Sequence, residues 1–284
     1  MQSVVVTGVS TGIGRAAATV LAQRGFHVFG SVRKAQDAEP LQAALGERFT
    51  PLIFDVTDEA GARAAAKTVR MALGGQRLAG LVNNAGIAVG GPLSDVPMAE
   101  FRKQLEVNIT GPMIVTQAFL PLLGTDKNLH GEPGRIVNIS SVGGKMGAPF
   151  LGPYVASKHA LEGLSESLRR ELMFYGIDVI LIAPGHVATP IWDKAEEIDP
   201  KPYEHLPIFP AMKKFLESFV EEGRRGFPPE RVADVIHTAL TAARPKARYP
   251  VVPGHVQNWT LPRLLPVRTV DKIVASRLGL KRPA

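Results

Sequence analysis

Short apolar runs alternate with helical patterns along the first two thirds of this chain, and few architectures accept that rhythm. Val4-Val5-Val6, His27-Val28-Phe29, Pro51-Leu52-Ile53-Phe54, Gly80-Leu81-Val82, Arg135-Ile136-Val137-Asn138-Ile139 and Asp178-Val179-Ile180-Leu181-Ile182 read as short buried strands. Residues 14–24, 59–73, 98–122 and 154–175 read as helices between them. Strand and helix alternating at this interval predict an α/β fold, a doubly wound parallel sheet covered on both faces. Its crossovers would be right-handed.

After Pro184 the texture changes. Pro190, Pro200, Pro202, Pro207 and Pro210 break up a long segment in which residues 212–222 look helical. Such a stretch in a compact domain is more often a lid than a featureless loop. A helix over 229–243 and a strand over 249–252 would finish the domain. Val267, Val270, Val274 and Leu278 then fall on one side of a final basic helix. No repeat and no linker divides the chain. We therefore expect a single domain over 1–284: a core (1–189), a substrate lid (190–227) and a C-terminal extension (228–284).

Charge and cysteine narrow the function classes. The net charge is +7, and from Arg244 onward nine lysines and arginines face the single acid Asp271, a local surplus of +8. This is a basic tail on a near-neutral body. A nucleic-acid binder would show a basic stripe with stacking aromatics, so no nucleic-acid partner is expected. With no cysteine and no close histidine spacing, neither a disulfide framework nor a metal is expected. Met1-Gln2-Ser3 does not start a basic-then-apolar leader, and no uninterrupted apolar run reaches bilayer length, so the expected location is cytoplasmic.

Chemistry concentrates at the ends of the strands. The first strand runs into Thr7-Gly8-Val9-Ser10-Thr11-Gly12-Ile13-Gly14 and then a helix. Glycines there permit a tight turn and let the backbone approach a pyrophosphate at the positive helix N-terminus. In Asn83-Asn84-Ala85-Gly86, small residues would let an adenine-ribose unit lie against the strand end, while the asparagines fix neighbouring backbone; an Asx-turn is the plainer reading. Asp55 could accept from the adenine amino group or cap the helix start near Thr57. Tyr154 and Lys158 lie one helical turn apart on a shared face, where an ammonium would favour the phenolate and lower the phenol's pKa. Such a phenol can exchange a proton with a substrate oxygen.

Taken in order, Thr7-Gly8-x-x-x-Gly12-Ile13-Gly14, Asp55-Val56, Asn83-Asn84-Ala85-Gly86, Asn108, Ile136-Val137-Asn138-Ile139-Ser140-Ser141, Tyr154-x-x-x-Lys158 and Pro184-Gly185 with Thr189 resemble the short-chain dehydrogenase/reductase family over about residues 1–195. The resemblance implies a Rossmann-like fold and a catalytic set of Asn108, Ser141, Tyr154 and Lys158. Tyr154 would be the acid/base, and Lys158 would lower its pKa and hold the nicotinamide ribose. Ser141, thirteen residues before Tyr154, would hydrogen-bond the substrate oxygen, with Ser140 the disfavoured neighbour. Asn108 would position a water linking Lys158 to solvent. Cofactor contacts would come from Thr7, Gly8, Ser10, Thr11, Gly12, Ile13, Gly14, Arg33, Asp55, Val56, Asn83, Ala85 and Gly86. Pro184, Gly185, Val187 and Thr189 would cover the nicotinamide. The family also implies a homodimer or homotetramer.

Ser31 stands where NAD-preferring relatives usually carry an acid, and Arg33 and Lys34 follow it, which suits a 2′-phosphate. NADP(H) is therefore favoured over NAD(H), although both cations could be solvated surface groups. Lys246-Ala247-Arg248-Tyr249-Pro250-Val251-Val252-Pro253 and the ending Leu264-Leu265-Pro266…Leu278-Gly279-Leu280 resemble the branch holding 17β-hydroxysteroid and retinol dehydrogenases. That implies a bulky lipophilic alcohol or ketone, with Ile191 and Trp192 beside it. The basic tail could meet an anionic membrane through Arg268, Lys272, Arg277, Lys281 and Arg282, but docking on its own domain or a partner subunit is favoured. The alternatives are a catalytically silent dinucleotide sensor and a sugar-nucleotide epimerase. The intact catalytic set argues against the first, and the phosphate turn and small C-terminal part argue against the second.

Overall fold

The structure, a computed structural model, describes residues 1–196 and 200–280; lid positions 197–199 and the tail cations Lys281 and Arg282 lie outside the described residues. Strands β1 (Ser3–Thr7), β2 (His27–Val32), β3 (Phe49–Ile53), β4 (Gly80–Asn83), β5 (Arg135–Ile139), β6 (Asp178–Pro184) and β7 (Arg248–Val251) form one parallel sheet in the order β3-β2-β1-β4-β5-β6-β7. The helices are α1 (Gly12–Gln23), α2 (Glu39–Leu45), α3 (Glu59–Ala72), α4 (Met98–Leu105), α5 (Gly111–Leu120) and α6 (Gly152–Leu172). After β6 come α7 (Ile191–Glu196), α8 (Phe209–Arg224), α9 (Pro229–Thr241), α10 (Leu261–Leu264) and α11 (Val267–Leu278). The winding reverses between β1 and β4, which pair with Val5 beside Leu81. The chain leaves these two strands in opposite directions and opens a crevice at their carboxyl ends.

Alternation along β1 explains its uniformly apolar sequence. Val4 and Val6 join a core with Ala17, Leu21 and Ile236 from α1 and α9. Val5 joins the opposite core with Leu81, Val69, Phe119 and Leu172, beneath α3, α5 and α6. Each large side chain so buried contributes roughly 1.5–3 kcal/mol. Pro51 and Pro250 lie in β3 and β7, the edge strands, where a missing N–H breaks no inner ladder.

Several elements differ from the sequence expectation. β2 runs to Val32 and β6 to Pro184, placing Ser31 and Pro184 within strands. α2 was not expected; it buries only Leu41, too thin a stripe to register as periodicity. The single helix expected over 98–122 is α4, a π turn over Glu106–Thr110, α5 and a second π turn over Pro121–Thr125. Pro112 has no N–H for the carbonyl of Asn108 four residues earlier, which breaks the α ladder there. Met98–Thr125 as a whole is also long and apolar enough to cross a bilayer, contrary to expectation. In this fold that apolarity serves the core, where Val115, Phe119, Leu122 and Leu123 are buried.

Candidate active site

The glycine turn between β1 and α1 is shaped by backbone demands that only glycine meets. Gly8 and Gly12 take φ of +70° and +57°. A Cβ on Gly14 would overlap the Gly8 carbonyl and the Asn84 amide, and one on Gly12 would stand 3.3 Å from Thr189. The Gly8 amide donates to the Ser31 carbonyl and hydroxyl at 3.1 Å each. The Asn84 side chain donates to the carbonyls of Thr7 (2.9 Å) and Gly8 (3.1 Å), while the Thr7 hydroxyl accepts from the amides of Asn84 and Ala85. These bonds lock the ends of β1, β2 and β4 together. α1 starts at Gly12 with no side-chain cap, and Ser10 and Thr11 lie on the open side of the turn. The cradle fits a pyrophosphate: its donors are backbone, and Gly14 leaves no room for a side chain.

Two expected cofactor residues make hydrogen bonds within the protein. Asn83 is buried and donates to Thr116 (3.1 Å) and Asn138 (2.8 Å), in a polar chain that continues from Asn138 to Ser165 (2.8 Å). Its side chain therefore helps tie α5 to α6 along one face of the sheet. Asp55 accepts from the amide and hydroxyl of Thr57 at 3.0 and 2.8 Å, and the cap of α3 is Asp58, not Asp55. Val56 packs over Gly111, where a Cβ would come within 2.9 Å. Arg33 and Lys34 are solvent-exposed just past β2, while Ser31 is buried against the turn.

The catalytic set converges between β5 and α6. Ser141 follows β5, accepts from the Gly143 amide at 3.0 Å and hydrogen-bonds the Tyr154 phenol. Ser140 points away: its hydroxyl is buried without a partner, facing Gly144. Lys158 is buried, donates to the Ile139 carbonyl at 2.8 Å and holds its Nζ 5.8 Å from the Tyr154 ring centre. Ile139 takes one of the three ammonium donors, leaving two for ribose hydroxyls, which fits the expected cofactor role. Burial brings Lys158 down to about 8. The same burial pushes the Tyr154 phenol up, against the hydrogen bond from Ser141 that pulls it down. Against the expected lowering by Lys158, desolvation sets the direction in the chain by itself.

Asn108 holds the site from behind. Its Oδ1 accepts from the Ile87 amide (2.9 Å), and its Nδ2 donates to the Ile87 carbonyl (3.0 Å) and the Ser157 hydroxyl (3.1 Å). Ser157 donates to the Tyr154 carbonyl at 2.7 Å, and Gln104 adds bonds to Ile87 and Val89. Asn108 thus ties the segment after β4 to the turn of α6 that carries Tyr154 and Lys158. Gln104 and Ser157 were not singled out in the sequence. Ser157 lies inside the Tyr154–Lys158 motif, and Gln104 one helical turn before Asn108.

The lid closes the remaining side. Gly185 donates to the Val251 carbonyl at 3.0 Å, and Ala188 to the Phe227 carbonyl at 2.9 Å, so Val187 is held beside Phe227. Trp192, expected against substrate, is buried inside the lid. Its indole donates to the Val187 carbonyl at 2.6 Å, and its ring packs on Gly223, Phe219 and His186. Ile191 is exposed. Phe150, which the sequence reading passed over, takes a φ of +63° and packs 5.7 Å from Phe215, joining the Ser141–Tyr154 loop to α8. Among the described residues no three His, Cys, Asp or Glu side chains cluster to hold a metal.

Known proteins share this arrangement. A family model described as short chain dehydrogenase matches residues 2–199. The chain is 41% identical over 276 residues to the NADPH-dependent 3-dehydrocapnine reductase of Ornithobacterium rhinotracheale, covering 96% of each chain. It is 35% identical over 295 residues to retinol dehydrogenase 5 of Mus musculus, covering 98% of this chain and 89% of that one. The solved structure of levodione reductase superposes with a TM-score of 0.75 at 27% identity, covering 90% of this chain and 97% of the other. The protein belongs to the short-chain dehydrogenase family and is an oxidoreductase acting on CH–OH groups with NAD(P).

Proposed function

We propose that the protein reduces a bulky lipophilic ketone to a secondary alcohol with NADPH, and runs the reverse reaction with NADP. The observation that carries this reading is the Ser141–Tyr154–Lys158 group, whose loop is joined to the lid through an apolar cluster of Phe150 with Met212 and Phe215. When bound, the nicotinamide supplies or accepts the hydride. The chain's own residues handle the oxygen. Ser141 and the Tyr154 hydroxyl hold the carbonyl oxygen, and Tyr154 delivers its proton as charge develops there. Lys158 stabilises the phenolate that remains, and the buried surroundings that lower its own pKa strengthen that attraction.

Arg33 and Lys34 at the end of β2 support NADPH, and the relative named for NADPH-dependent reduction agrees. The names 3-dehydrocapnine reductase and retinol dehydrogenase support a lipophilic substrate class. By family resemblance, the reading includes a homodimer or homotetramer. The test is a screen of NADPH and NADH consumption against long-chain amino ketones, retinal, steroids and short aliphatic ketones. We expect turnover with long-chain or polycyclic carbonyls and NADPH. Arg33→Ala should raise the KM for NADPH about tenfold while leaving that for NADH unchanged. Equal use of NADH by the native protein would contradict the cofactor assignment.

A further inference from the structure

The chain beyond β7 is docked at one end and bare at the other. Leu278 and Leu280 are partly buried on the lid cluster of Phe150, Met212 and Phe215. Nearer β7, Leu261 is 48% exposed, Leu264 76% and Val267 75%, gathered where Leu265-Pro266 turns α10 into α11. Val256 and Ile273, at 67% and 41%, extend the apolar area along the same segment. Five of the fifteen exposed large apolar side chains described thus fall within 256–273. An apolar concentration of this kind marks an interaction surface.

The charges around it have one sign. Arg263, Arg268, Lys272 and Arg277 are exposed on α10 and α11, with Asp271 the single acid among them. None of these four cations pairs with a carboxylate among the described residues. Arg263 lies 4.6 Å over the Trp259 ring; burial first, and the Arg263 charge after it, lower the pKa of both Lys145 and Arg248. Lys145 and Arg248 are answered by Glu162 and Glu166, so the excess positive charge falls on the corner itself.

We infer that this corner docks on an anionic lipid bilayer, with Leu261, Leu264 and Val267 entering the interface and Arg263, Arg268 and Lys272 meeting headgroup phosphates. A second copy fits less well. A two-fold contact sets the patch against itself, so two surfaces of the same positive sign would meet. Because the same segment ends on the lid, docking holds α8 near the bilayer, where a lipophilic substrate is dissolved. That last step rests on the proposed substrate class; the docking does not.

The test is co-sedimentation of the full chain with vesicles of phosphatidylcholine containing about 30 mol% phosphatidylglycerol, against pure phosphatidylcholine. The protein should sediment with the anionic vesicles and be released by about 0.5 M salt. Arg263→Gln and Arg268→Gln should each weaken binding about fivefold. Leu264→Asp with Val267→Asp should abolish binding while leaving the thermal midpoint and NADPH fluorescence titration unchanged. A native protein that stays in the supernatant, or a double variant that sediments as the native chain does, overturns the inference. So does a double variant that instead dissociates an oligomer in sedimentation velocity with no native vesicle binding. Vesicle binding needs no turnover, so this failure and that of the reductase reading are separable.

Discussion

Tyr154 and Lys158 were legible as a pair from spacing alone, and Ser141 from its distance to them, because helix periodicity and loop length are written directly in the sequence. Their protonation was not. It depends on how much water the tertiary fold removes, and here burial pushes Tyr154 up and Lys158 down to about 8. The lysine has a stability consequence. Its folded pKa lies below the ordinary 10.5, so between about pH 8 and 10.5 the unfolded chain binds more proton and stability rises with pH. Below pH 8 the full cost of the buried ammonium is present, up to about 3 kcal/mol. Lys158→Met should therefore gain stability relative to the native chain at pH 7, and the gap should narrow as pH climbs through that window. Urea unfolding at several pH values checks this; a gap that stays flat would show that the ammonium carries no desolvation cost. Asn83 shows the opposite limit of reading: a motif asparagine whose neighbours, Thr116 and Asn138, are distant in sequence and were invisible there.

At the scale of elements, the strands were readable because both faces of the sheet are covered, which forces continuous apolar runs. The sequence pattern runs as one helix through the interruption after α4, although Pro112 is a visible signal for the break. That break places Asn108 where both Ile87 backbone groups meet its amide, and so joins two elements that the sequence separates. Asn108→Ala would strand the Ile87 N–H, leave the Ile87 carbonyl to Gln104 alone and remove one bond from Ser157, at a cost of about 1–3 kcal/mol. We expect a lower thermal midpoint together with a fall in kcat of tenfold or more, since the turn of α6 bearing Tyr154 loses its brace. A variant that loses stability but keeps its native kcat would show that the network supports the fold and not the site.

For the whole molecule, the alternation of strand and helix predicted the sheet, but not the order of its strands or the packing of the lid. Those follow from long-range contacts, such as Val187 beside Phe227 and Phe150 against Phe215, that no local pattern encodes. Trp192 is the clearest case. An aromatic in a lid segment suggests substrate contact, yet Gly223 opens a slot that takes the ring inside the protein. What the assembled crevice asserts is a single proton-transfer centre served by a nicotinamide. The most direct test is Tyr154→Phe, measured in parallel for NADPH affinity by fluorescence titration and for turnover of the best carbonyl substrate. The account predicts a Kd for NADPH within about twofold of native and a kcat reduced by at least about a thousandfold. Near-native turnover in that variant would contradict it.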